Sequence, residues 1–154
     1  MESKKLVYGI GLPRTGTKSL ASALRLLGFS GENHCKLTNF SEEDNVKSLT
    51  KEFIIDNHAY EYYEGLVNFF VDENTYFILT IREFEEWDKS VKKISNNTYP
   101  NIEEYTKSVI EYFKKNKVSN KLLIIDFKKE RDPWEKLCTF LDEDIPSQSF
   151  PYKK

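Results

Sequence analysis

Leu6-Val7-Tyr8-Gly9-Ile10-Gly11-Leu12-Pro13-Arg14-Thr15-Gly16-Thr17-Lys18-Ser19 reads as a buried strand, a glycine-rich turn and the start of a helix. The first five residues are apolar or small and do not alternate with polar ones, so both faces of the strand are covered. Glycine lets the turn take positive φ and lets its backbone approach a ligand closely. Beyond the turn, Leu20, Leu24 and Leu27 recur at helical spacing, and Gly28 supplies the stop. The first amides of such a helix, with the positive end of its dipole, favour an anion. Arg14 and Lys18 add charge there, and the hydroxyls of Thr15, Thr17 and Ser19 add donors. Three glycines, two cations and three hydroxyls fall within the eleven residues from Gly9 to Ser19. A plain strand-to-helix turn needs only one or two of these, so the stretch predicts a site for a phosphorylated nucleotide.

The rest of the chain supplies a matching frame. Phe53-Ile54-Ile55, Tyr76 to Ile81 and Leu122 to Ile125 are further apolar runs without clean alternation. Between them lie helical patterns over Tyr60–Val71, Glu83–Ile94 (closed by Asn96-Asn97), Ile102–Lys117 and Pro133–Leu141. Strands alternating with helices predict a three-layer α/β/α fold with a central, mostly parallel sheet, like that of P-loop nucleoside triphosphatases. The 154 residues suit a single domain over 1–154. The stretch Lys128-Lys129-Glu130-Arg131-Asp132 reads as a solvated loop.

Composition narrows the partners. With 23 basic and 25 acidic residues, the net charge of −2 offers no global field for nucleic acid or anionic lipid. An anionic ligand must then be held by a local site. No apolar run approaches the ~20 residues of a membrane span. The strand near the first residues leaves no room for a signal peptide, which predicts a cytoplasmic protein. Cys35 and Cys138 match no metal-ligand spacing and read as two reduced thiols.

The turn departs from the P-loop pattern G-x-x-x-x-G-K-[ST]. Gly11 and Gly16 have its separation, but Thr17 intervenes, so Lys18 and Ser19 come one residue late. One residue rotates a side chain by ~100° about a helix. The lysine then misses the β- and γ-phosphates, and the serine misses the magnesium position.

In its place the sequence resembles the sulfotransferases that use 3′-phosphoadenosine 5′-phosphosulfate (PAPS) and release adenosine 3′,5′-bisphosphate (PAP). Their 5′-phosphosulfate loop reads like Pro13-Arg14-Thr15-Gly16-Thr17. Their 3′-phosphate grip, an Arg ending a strand and a Ser eight residues on, is matched by Arg82 and Ser90. The stretch from Leu122 to Asp126, the helix after Asp132-Pro133-Trp134 and the Phe150-Pro151 pair look like the closing elements of small family members. The Arg-Lys-Gly element of larger members has no counterpart, and Lys153-Lys154 reads as a loose dilysine.

The resemblance implies sulfuryl transfer by in-line displacement to a hydroxyl or amine of an acceptor that the sequence does not disclose. It implies no metal, and PAPS as the nucleotide co-substrate. It implies a donor site of Pro13, Arg14, Thr15, Gly16, Thr17, Lys18, Ser19, Arg82 and Ser90, with Arg14 at the bridging oxygen. Lys18 reads either as a second contributor or as an exposed cation on the first helix. The run Phe53-Ile54-Ile55 ends in Asp56-Asn57-His58, so His58 or Asp56 is the candidate general base. The competing reading is a surface His and an Asp capping the next helix. His34, in a loop with Gly and Asn, is structural or on the acceptor side. Trp87 and Trp134 read as core, and Asp126 as an ordinary strand-end carboxylate. Two rivals remain: a P-loop kinase using ATP and Mg²⁺, with Asp126 or Asp56 beside the metal, and a non-catalytic nucleotide-binding protein.

Overall fold

A computed structural model describes residues 5–35, 51–94 and 98–153, with the side chains of residues 34 and 35 outside that description. Five strands form one sheet in the order β2-β3-β1-β4-β5. They are β1 (Lys5–Gly9), β2 (Ser30–Cys35), β3 (Lys51–Asp56), β4 (Thr75–Thr80) and β5 (Leu122–Ile125). Every neighbouring pair is parallel, with Val7 opposite Phe53 on one side and Tyr76 on the other. The helices are α1 (Thr17–Leu26), α2 (Tyr63–Phe70), α3 (Phe84–Ile94), α4 (Ile102–Lys115) and α5 (Pro133–Leu141).

Successive residues of the central strands serve opposite faces, which is why their sequences lack alternation. Val7 and Ile78 join Leu20, Leu24, Trp134 and Leu137 in the core beneath α1 and α5. Tyr8, Phe77 and Leu79 join Leu66, Val91, Val109 and Phe113 beneath α2, α3 and α4. The three expected layers are therefore present, and the central strands are buried on both sides.

Two expectations change. The helix expected over Tyr60–Val71 is broken: Ala59–Glu61 forms a short 3₁₀ turn, and α2 starts at Tyr63. More importantly, Ser30–Cys35 is a strand, so His34 lies on β2 rather than in a loop. Ser-Gly-Glu-Asn-His-Cys has no apolar run, and among the described residues β2 is an edge strand paired only with β3. Gly31 explains the pairing: a Cβ there would stand 1.9 Å from the Phe53 carbonyl oxygen. The expected stop at Asn96-Asn97 lies outside the described residues. Cys138 is a free, buried thiol, held in its protonated form chiefly by burial and then by the charge of Glu143.

Because all strands run the same way, their carboxyl ends form one edge of the sheet. The segment 11–16 leaves β1 there, Arg82 follows β4, Asp126 follows β5 and Asp56 ends β3. Ligands of open parallel sheets collect at this edge, where the chain changes its direction of winding.

Candidate functional site

The loop between β1 and α1 is packed from below. Gly11 lies so close to β4 that a Cβ would stand 2.2 Å from Thr80 Oγ1. Thr15 Oγ1 donates to the Leu12 carbonyl at 2.7 Å and lies 2.5 Å from Thr80 Oγ1. A hydroxyl has one proton, so Thr80 is the donor of that second bond. The Tyr105 hydroxyl donates to the Ile10 carbonyl at 2.7 Å, and Trp87 Nε1 donates to the Pro13 carbonyl at 2.9 Å. Burial raises the Tyr105 phenol far above its ordinary value, so it stays a donor. Trp87 is 3% exposed and is core, as expected, while its indole N–H fastens the loop to α3.

That scaffold fixes an unusual backbone. Gly16 takes φ 94° at the N-cap of α1, and Arg14 takes φ 67°, a conformation few non-glycine residues adopt. No side chain caps α1. Its first-turn amides therefore have neither an intrahelical acceptor nor a side-chain cap, as is also true of α2. Asn101 and Asp132, by contrast, cap α4 and α5 with their side chains.

The expected second half of the site lies against the first. Arg14 Nε donates to Ser90 Oγ at 2.7 Å, and an Arg82 terminal nitrogen donates to the Arg14 carbonyl at 3.3 Å. Arg82 Nε is buried with no hydrogen-bond partner, and the nearest carboxylate oxygen, on Glu86, is 3.7 Å away. Residues separated by 68 and 76 positions in sequence thus form one network. Arg14, Thr15, Gly16, Thr17, Lys18 and Ser19 share an open cleft of ≈ 800 Å³ with Pro13, Arg82 and Ser90.

The individual side chains divide. Thr15 and Ser19 are each 3% exposed and use their hydroxyls internally, Ser19 as acceptor from the Lys153 N–H at 2.9 Å. Thr17 and Lys18 line the cleft, and no side-chain bond commits them among the described residues.

Sequence reasoning missed several lining residues. Lys89 and Lys93 lie on the α3 face that carries Glu86 and Ser90, a face that the helical period alone defines. Lys128, read as part of a solvated loop, faces the cleft and donates to Glu86 at 3.2 Å. Tyr152 and Lys153 line it too, so Lys153 is not the loose cation expected; Lys154 lies outside the described residues. Seven cationic side chains therefore surround the cleft, with Glu86 and Asp126 as the carboxylates, on a chain whose net charge is −2. The bond to Lys128 and its positive charge hold the Glu86 carboxyl below its ordinary value. Asp126 accepts the Lys128 N–H at 3.0 Å and shapes the turn after β5.

The two candidate bases differ in their commitments. Asp56 is 1% exposed, accepts the His58 N–H at 2.8 Å, and accepts the Tyr62 hydroxyl on its other oxygen. That is the geometry of a carboxylate shaping the turn before Ala59–Glu61. His58 is half-buried; its Nδ1 is buried, makes no hydrogen bond and lies 3.6 Å from a Glu61 carboxylate oxygen, and neither His58 nor Asp56 is among the residues that line the cleft. Asn57, between them, lines the cleft.

No curated protein matches the chain. A family model described as a sulfotransferase domain matches residues 6–106 and 93–154, a span that contains the loop, the Arg82/Ser90 pair and the last helix. By that match, which covers nearly its whole length, the chain belongs to the sulfotransferase domain family.

Proposed function

We propose that this chain, acting as one domain, moves a sulfuryl group from PAPS to a hydroxyl or amine of an acceptor. The family carries sulfuryl transfer in general. The observation that supports this donor is the coupling of two anion-binding elements in one cleft, the uncapped start of α1 and the Arg82/Ser90 pair, bridged by Arg14. A nucleotide with phosphate at both its 3′ and 5′ positions needs two such elements, and a triphosphate needs one. The buried Arg82 Nε without a partner fits an anion arriving at that point.

In this reading the donor supplies an electrophilic sulfur and a leaving phosphate. The chain's residues position it and answer its charge. The amides of α1, with Thr17 and Lys18, hold the 5′ end. Arg14 sits where charge develops on the bridging oxygen, and its bond to Ser90 couples that position to the 3′ grip. Of the two bases, His58 is favoured. No side-chain hydrogen bond commits its ring among the described residues, and Asn57 beside it lines the cleft, whereas both Asp56 oxygens serve the local turn. His58 would take the acceptor's proton as the acceptor oxygen or nitrogen bonds to sulfur and the bond to the bridging oxygen breaks.

Calorimetry with adenosine 3′,5′-bisphosphate and with ATP, each with and without Mg²⁺, tests the donor. Metal-independent binding of the bisphosphate is expected, and a preference for ATP with Mg²⁺ overturns the reading. Arg82→Ala should weaken the bisphosphate far more than adenosine 5′-monophosphate, because only the former carries a 3′-phosphate. Transfer of label from PAPS to an acceptor library then separates an enzyme from a binder. His58→Gln should abolish that transfer while leaving bisphosphate affinity intact.

A further inference from the structure

The segment after α5 is fastened at several points and carries an aromatic ring into the cleft without an assigned task. Trp134 Nε1 donates to the Gln148 carbonyl at 2.8 Å. The Phe150 ring lies 5.0 Å from that of Phe127 and 5.1 Å from that of Trp134. Beyond it, the Lys153 N–H donates to Ser19 Oγ in the first turn of α1. Tyr152 sits between these anchors, its ring 5.0 Å from Phe150, and it is nevertheless 58% exposed on the cleft.

A bisphosphorylated adenosine has three parts to recognise, two anionic groups and a base with an apolar π face. Arg14 and Arg82 answer the anions. For the base, Phe127 is 5% exposed and packed on Phe150, and Tyr99 is met edge-on by Tyr60. Tyr152 presents an open ring on backbone already held in place, so stacking there loses little conformational freedom. Its neighbour Lys153 lines the same cleft beside the anion-binding turn.

We propose that residues Phe150–Lys153 form the base-binding wall of the donor site, with the Tyr152 ring stacking on the adenine and the Lys153 ammonium adding to the field around the phosphates. This rests on the donor reading above.

The test titrates the full chain, Tyr152→Ala, Tyr152→Leu and Tyr152→Phe with adenosine 3′,5′-bisphosphate and with inorganic pyrophosphate, which has no base. Both Tyr152→Ala and Tyr152→Leu should weaken the bisphosphate roughly 10- to 100-fold, the usual loss of one base–aromatic stack. Tyr152→Phe should restore the affinity, and pyrophosphate should bind all four proteins alike. Melting of the ligand-free proteins shows that each is folded. Unchanged bisphosphate affinity in Tyr152→Ala overturns the proposal, as does an equal loss for both ligands. If the unaltered chain binds the bisphosphate and Arg82→Ala weakens it, such a result removes the base-binding wall alone. If the unaltered chain does not bind the bisphosphate, the donor reading falls and takes the wall with it.

Discussion

The two edges of the sheet treat positive charge in opposite ways. At the amino edge, Lys5 and Lys51, at the starts of β1 and β3, both lie 2.5 Å from Glu143 carboxylate oxygens. Lys5 also donates to the Leu141 and Asp142 carbonyls at 2.8 and 3.0 Å, and Lys51 donates to that of Leu27 at 3.3 Å. Those carbonyls end α5 and α1, where the helix dipole is negative. Both of these cations have their partners inside the fold. At the carboxyl edge, Arg14, Lys18, Lys89 and Lys93 line one cleft with no ion pair among the described residues, and Arg82 keeps a buried nitrogen without a hydrogen bond. Cations gathered beside one another repel, so this arrangement does not serve stability, and it fits the anion-binding cleft proposed above. Charge alone does not mark the site; charge left unanswered does.

The sharpest way to break this comparison is Arg14→Ala. Losing a preorganised donor at the developing charge should lower turnover about 100- to 1,000-fold. The melting temperature should hardly move, because Arg14 is exposed. A large drop in melting temperature would instead place Arg14 with the structural cations. Gly11→Ala tests the scaffold under the same edge: the new Cβ would collide with Thr80 Oγ1, at a cost of about 1–3 kcal/mol in denaturant unfolding.

Glu143→Ala is the amino-edge counterpart. It leaves two part-buried ammonium groups unpaired and should cost about 1–2 kcal/mol of stability without changing bisphosphate affinity. Any loss of ligand binding in Glu143→Ala would show that the edges are coupled.

The smallest effect is in acid. Burial pushes the Glu143 carboxyl up, but Lys5 and Lys51 outweigh it and leave it below its ordinary value near 4.5. A carboxyl that titrates lower folded than unfolded stabilises the fold above the unfolded value, and the contribution fades as pH falls through the folded one. Unfolding free energy should therefore decline below about pH 4.5, and Glu143→Gln should flatten that decline. A slope unchanged by the substitution would assign acid sensitivity to other carboxylates.

Legibility in the sequence followed the same division. The loop after β1 was readable because glycine, cation and hydroxyl fall within a few consecutive residues. Arg82 and Ser90 were readable only through the family resemblance, since a strand-end arginine and a serine eight residues on carry little signal by themselves. Strand β2 was not, since an edge strand of polar residues carries no apolar signal and its pairing depends on Gly31 meeting Phe53 across the sheet. Lys128, Tyr152 and Lys153 reach the cleft from segments distant in the chain, and no local pattern announces that. Thr15 and Ser19 were legible as hydroxyls of an expected phosphate loop, but not as fasteners to Thr80 and Lys153.

The sequence by itself determined the layered fold, because short-range periodicity encodes it, and it gathered glycines, cations and hydroxyls in the loop after β1; the Arg82/Ser90 pair entered through the family resemblance. Only the tertiary structure decided which cations are neutralised and which stay unanswered, and that Arg14 bridges the loop after β1 and the Arg82/Ser90 pair. Pairing of charges depends on which chain segments the parallel sheet brings to the same edge. That is a property of three-dimensional proximity, which no spacing along the chain records.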